Sequence, residues 1–157
     1  MKKHPNRKML AVNKSVRHDY FIEETLEVGL ELTGTEIKSL RQGKVSLGES
    51  YVRIAGGELF VLGMNIKPYE QGNRFNVDPL RPRRLLAHKK EIRKLDAEVR
   101  REGMTIVPLS IYLDGRGFAK MEIALARGKK LYDKRETIAK RDAERHIRQT
   151  MKQREQR

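Results

Sequence analysis

Four carboxylates, Asp19, Glu23, Glu27 and Glu31, recur at every fourth residue, and paired carboxylates are the usual means of holding Mg²⁺ for phosphodiester cleavage. On an extended strand, neighbouring members of this series lie about 13 Å apart, too far to share one ion. A solvated strand face is the simpler reading. The four histidines, His4, His18, His88 and His146, show no HxH or HExxH spacing, and the chain has no cysteine. Zinc sites built on Cys, disulfides and thiol nucleophiles are therefore excluded, and no metal or other cofactor is expected. Gly128-Lys129-Lys130 has the look of a phosphate loop, but Ile123 stands where its first glycine belongs and Lys130 where Ser or Thr would bind Mg²⁺. No serine sits in a GxSxG context. These patterns point to a binding protein rather than an enzyme.

The charge distribution says what is bound. The chain has 157 residues with 35 Lys and Arg against 21 Asp and Glu, a formal charge of +14. Residues 1–18 carry six Lys and Arg and no acid, residues 127–157 carry twelve against five, and the body between them keeps only +1. A nearly neutral body with cationic ends suits a polyanion, because Lys and Arg release counterions wherever they meet phosphate. Within the body, residues 81–101 add a local patch of nine Lys and Arg against three acids. No apolar run is long enough for a membrane span or a signal peptide, so a soluble, cytoplasmic chain with no membrane partner and no small-molecule substrate is expected.

The elements that must position these groups are legible in part. Residues 8–12 are short and apolar. Residues 20–32 alternate, with Tyr20, Ile22, Leu26, Val28, Leu30 and Leu32 on one side, which marks a long half-buried strand. Thr33-Gly34-Thr35-Glu36 has the Thr-to-Glu spacing of a capping box, and Gly43 closes a short helix over residues 34–42 that buries Ile37 and Leu40. Residues 50–54 and 58–66 flank Ala55-Gly56-Gly57, and residues 104–113 and 118–126 flank Asp114-Gly115-Arg116-Gly117, giving two hairpins. Residues 67–80 are a polar surface loop. Leu85, His88, Ile92, Leu95 and Val99 fall on one helical stripe, which predicts a helix over 84–101 with Leu86 exposed on its far side.

Six antiparallel strands and two helices in this length predict a mainly β fold, a small closed barrel of oligonucleotide-binding type, with an open α+β sheet as the alternative. The expected organisation is an N-terminal basic arm over 1–7, a barrel over 8–130 and a basic C-terminal tail over 131–157. From residue 137 onward the tail has only Ile138, Ile147 and Met151 as strong apolar residues, so it is expected to be disordered when free and helical against its partner.

Several runs then carry a resemblance. Asn13-Lys14-Ser15-Val16-Arg17-His18-Asp19-Tyr20, Glu27-Val28-Gly29-Leu30 and Gly34-Thr35-Glu36-Ile37-Lys38-Ser39-Leu40-Arg41-Gln42-Gly43 resemble small protein B, the SsrA RNA (transfer-messenger RNA) binding family. Pro79-Leu80-Arg81-Pro82-Arg83-Arg84-Leu85-Leu86, Val107-Pro108-Leu109 and Gly128-Lys129-Lys130-Leu131-Tyr132-Asp133-Lys134-Arg135 extend the likeness over roughly residues 8–142. Ser15, Ala87 and Arg127 depart from the usual Ala, Leu and Lys.

The resemblance implies a barrel that grips the tRNA-like part of transfer-messenger RNA. It also implies delivery to ribosomes stalled without a stop codon, where trans-translation tags the incomplete chain. Residues matching the family's RNA-binding positions are Asn13, Lys14, Glu27, Leu86, Lys120, Lys129 and Lys130. Those matching decoding-centre engagement are His18, Gly128, Asp133, Lys134 and Arg135. The implied partners are transfer-messenger RNA and the small-subunit decoding centre and mRNA channel of the ribosome, with the tRNA-delivering elongation factor as a further candidate. A structural ribosomal protein with a similar barrel is the alternative.

Overall fold

A computed structural model describes residues 7–101 and 103–129. Its described elements are β1 (Lys8–Val12), α1 (Val16–Asp19), β2 (Tyr20–Leu30), α2 (Gly34–Arg41), β3 (Val45–Ser46), β4 (Tyr51–Ala55), β5 (Glu58–Leu62), β6 (Asn65–Ile66), β7 (Arg83–Leu86), α3 (Lys89–Val99), β8 (Met104–Leu113) and β9 (Ala119–Gly128). A 3₁₀ turn at Glu70–Phe75 interrupts the predicted polar loop. No helix among the described residues is long and apolar enough to cross a membrane.

The expected closed antiparallel barrel is present. Strands β8, β4, β5, β7, β2 and β9 pair in that order, and β9 returns to β8. Six strands form the ring, as predicted, but their membership differs. β7 replaces the Lys8–Val12 segment, which runs antiparallel to β8 outside the closed circuit. Inside lie Val28, Leu59, Val61, Leu85, Ile106, Ile111, Met121 and Ile123, each at most 2% exposed. Ile92 and Leu95 of α3 and Leu40 of α2 join this core.

β7 is the main correction. Arg83 and Leu85 are buried while Arg84 and Leu86 are exposed, an alternation of two rather than a helical stripe. Leu85 pairs with Leu59 of β5 and with Leu30 of β2, so it serves a strand that closes the barrel. The helix begins only after His88, whose amide donates to the Glu91 carboxylate at 3.3 Å. Ile92, Leu95 and Val99 keep the predicted stripe. The exposure of Leu86 was therefore anticipated for a helix and is produced by a strand.

The second correction lies in β2. Its register with β9 shifts between Ile22 and Glu24. A bulge reverses which side chains face the core. Tyr20 and Ile22 pack outside the barrel in a second apolar cluster with Val16, Val107, Leu109, Ala124 and Ala126, whereas Leu26, Val28 and Leu30 point inward. The helix α1, a third helix beyond the two expected, covers that outer cluster through Val16.

The helix α2 starts as its sequence demands. Thr33 Oγ1 accepts from the Glu36 amide at 3.3 Å, and the Thr33 amide donates to Glu36 Oε1 at 3.0 Å. The same carboxylate receives Arg83 Nε at 2.6 Å and the Arg81 guanidinium, joining α2 to β7. Arg83 is fully buried and also donates to the Met64 carbonyl at 2.6 Å. Burial opposes the Glu36 charge, but hydrogen bonds from Arg81, the Thr33 amide and Arg83 outweigh it and hold the carboxyl below its ordinary pKa. Burial likewise lowers the Arg83 pKa against the raising effect of Glu36.

Candidate nucleic-acid interface

The register of four strands assembles one row on the outside of the barrel. Leu86 of β7 lies beside Gly29 of β2, Gly29 beside Lys120 of β9, and Lys120 beside Tyr112 of β8. The next outward row is Glu27, Glu122 and Ser110. Leu86, Glu27 and Lys120, distant in sequence, are thus neighbours. Gly29 makes room between them, because a Cβ there would lie 3.1 Å from Leu86 Cβ, close enough that Leu86 would have to give way.

Glu27 and Glu122 face each other across the ladder, an arrangement that costs stability unless donors or cations intervene. Both are supplied. The Tyr112 hydroxyl donates to Glu27 Oε2. Arg7 stacks its guanidinium 3.3 Å from the Tyr112 ring centroid, pairs with Glu122 at 3.7 Å and donates to Ser110 Oγ at 3.3 Å. Burial, reinforced by the Glu27 carboxylate, pushes the Tyr112 phenol well above its ordinary pKa, so it stays a donor at neutral pH. The exposed Glu27 is held in one orientation with Oε1 left to accept from an external donor such as a base amino group or a ribose hydroxyl.

The other end of β2 and β9 gathers a second group. Gly128 pairs with Tyr20, Lys129 Nζ donates to the Arg17 carbonyl at 3.1 Å, and the same ammonium sits 5.0 Å from the Phe21 ring centroid. The His18 side chain is 88% exposed and its Nδ1 lies 3.0 Å from Asp19 Oδ1. His18, Gly128 and Lys129 are therefore together, about 26 Å along β9 from Lys120 at the usual strand rise. Asn13 is committed to the protein. Its amide donates to the Leu109 carbonyl at 2.8 Å and its Nδ2 to the Pro108 carbonyl at 3.3 Å, while Oδ1 accepts from Ser15 Oγ at 3.1 Å. It fixes the turn that presents the exposed Lys14. Lys130, Asp133, Lys134 and Arg135, with the predicted tail, lie outside the described residues.

The carboxylate series does not converge. Asp19 meets His18 at 3.0 Å, Glu23 meets Arg127 at 3.2 Å, Glu27 meets Tyr112 and Glu31 meets Arg84 at 3.6 Å. No group of three metal-ligating side chains occurs among the described residues. The basic patch over 81–101 is largely ion-paired, mostly with carboxylates outside it, Glu24, Glu31, Glu36 and Glu58. Lys94 pairs with Glu24 at 2.8 Å, Arg100 with Asp96 at 3.2 Å and Arg101 with Glu98 at 3.0 Å. Sequence reasoning missed Tyr112 and Arg7, whose partners come from remote strands. The only available signal was the placement of Tyr112 and Lys120 on facing arms of one hairpin.

Residues 10–153 match the model of the family described as SmpB protein. The chain belongs to the SmpB protein family. Among its SmpB relatives, the SsrA-binding protein of Moorella thermoacetica is 55% identical over 94% of this chain and 96% of its own. The SsrA-binding protein of Ruminiclostridium cellulolyticum is 58% identical over 93% of this chain and 94% of its own. A chain of the solved structure "tmRNA-SmpB: a journey to the center of the bacterial ribosome" superposes with a TM-score of 0.64 at 51% identity, covering 76% of this chain and 83% of that one. The SmpB match spans both outer-face groups, at Leu86, Glu27 and Lys120 and at His18, Gly128 and Lys129.

Proposed function

We propose that this chain binds the tRNA-like part of transfer-messenger RNA and accompanies it to stalled ribosomes for trans-translation, acting as a cytoplasmic binding protein without catalysis of its own. The observation that carries the reading is the pair of adjacent rows on the outside of the barrel, where an exposed leucine, an oriented carboxylate and a lysine are brought close together from three strands. That combination offers an apolar contact for an unstacked base, an acceptor for an amino or hydroxyl group, and a cation for phosphate. SmpB relatives of more than half identity carry the name SsrA-binding protein, which agrees with this chemistry.

In this reading the barrel over 8–130 reads the RNA, with Lys14, Glu27, Leu86 and Lys120 in contact and Asn13 fixing the turn. The arm over 1–7, apart from Arg7, which is held by Tyr112 and Glu122, adds phosphate contacts together with Lys129 and Lys130. The tail over 131–157 enters the empty decoding centre and mRNA channel, where Asp133, Lys134 and Arg135 act with His18 and Gly128. The tRNA-delivering elongation factor joins the complex. A purified translation system given a stop-less reporter tests this. Tagging should require the chain, and Asp133→Ala should abolish tagging while leaving affinity for transfer-messenger RNA unchanged. Tagging without the chain would overturn the reading, and tagging by Asp133→Ala at the normal rate would remove the tail's role.

A further inference from the structure

The turn between β8 and β9 carries Phe118, 60% exposed, the most exposed of the large apolar side chains among the described residues. It is held firmly. Asp114 Oδ1 accepts from the amides of Arg116 at 2.9 Å and Phe118 at 3.0 Å. The Asp114 amide donates to the Phe118 carbonyl at 2.9 Å, and the Gly117 amide donates to the Asp114 carbonyl at 3.0 Å. Gly117 takes the left-handed φ of 84° that closes the turn. An aspartate spent in this way fixes the backbone of the turn.

One cation lies over the ring and a second beside the turn. The Arg116 guanidinium lies 5.7 Å from the Phe118 centroid, and a Cβ on Gly117 would lie 4.0 Å from the Arg41 guanidinium. Lys120 follows Phe118 by two residues, on β9, and is a member of the row with Gly29 and Leu86. The aromatic platform therefore lies at the edge of the proposed RNA face, two residues from Lys120. An exposed ring on a preorganised turn, with Arg116 at the ring and Arg41 beside the turn, fits a nucleobase and its neighbouring phosphates, with little ordering cost on binding.

Resting on the function proposed above, we infer that Phe118 is a base-stacking subsite for an unpaired nucleotide of the bound RNA, with Arg116 and Arg41 on its phosphates.

The test titrates full-length protein against transfer-messenger RNA and an ordinary tRNA at two salt concentrations, using Phe118→Ala, Phe118→Trp and Arg116→Ala. Phe118→Ala should weaken binding of transfer-messenger RNA about tenfold with an unchanged salt slope, because no charge is lost. Phe118→Trp should restore it. Arg116→Ala should lower the slope of log affinity against log salt by about one. Melting temperatures should not move, since the ring lies outside both apolar clusters. Wild-type affinity in Phe118→Ala, or a Trp variant as weak as the Ala variant, would overturn the subsite while leaving the wild type's RNA preference intact. A wild type without that preference would overturn the function and the subsite together.

Discussion

Replacing Glu36 by Gln should cost far more than an exposed charge change, and the structure says why. Gln keeps an oxygen to accept from the Thr33 amide, so the helix cap survives. The charge facing Arg83 does not. Arg83 is fully buried, and its contacts at Glu36 Oε2 and the Met64 carbonyl are both 2.6 Å. Removing one member of a buried pair leaves an uncompensated ion and costs about 3 to 5 kcal/mol. Against a total stability of about 5 to 15 kcal/mol, that is a large fraction. Urea unfolding followed by circular dichroism measures it. The matched background is Arg83→Met, in which the buried cation is gone and Glu36→Gln should cost much less. A loss below about 1 kcal/mol in the wild-type background, the value of an ordinary exposed pair, would refute the reasoning. So would an equal loss in both backgrounds.

The remaining predictions concern acid stability and the RNA face. The folded state holds the Glu36 carboxyl below its ordinary pKa, so its stabilisation is complete above the ordinary carboxylate range and is lost as pH falls through the folded value. Unfolding curves of wild type and Glu36→Gln should therefore converge on acidification, and a gap that stays constant would contradict this. Tyr112→Phe removes the donor that orients Glu27, and it should weaken transfer-messenger RNA binding about as much as Glu27→Gln, with the double variant no worse than either single. Additive losses in that titration would separate the two residues. Gly29→Ala places a Cβ 3.1 Å from Leu86 Cβ, so thermal unfolding should show a loss of about 1 to 3 kcal/mol together with weaker RNA binding. Unchanged values for both would mean that β2 and β7 can part without consequence.

What the sequence disclosed follows from the range over which each interaction acts. The Thr33 to Glu36 cap, the two glycine turns and the core stripe of α3 are local, and each was readable. β7 was hidden because Leu85 satisfies both a strand alternation and a helical stripe. Its choice is made by Leu59 and Leu30, on strands remote in the chain. The bulge after Ile22 was hidden because apolar residues occur on both sides of it, and only the outer cluster under α1 shows that the first two belong elsewhere. A fully buried arginine is not suggested by any local pattern, nor is a tyrosine whose hydroxyl reaches a glutamate 85 positions away. Glu27, Leu86 and Lys120 came from the family resemblance. Their adjacency, and the part played by Tyr112 and Arg7, came from strand register.

The central claim is that the barrel itself recognises one RNA. The most direct measurement is a binding titration of the full-length protein and of a form ending at residue 130 against transfer-messenger RNA and an ordinary tRNA at two salt concentrations. The account predicts that both forms prefer transfer-messenger RNA strongly and differ only modestly in affinity. Loss of the preference on truncation, with a steep fall in salt dependence, would place recognition in the basic end and contradict it.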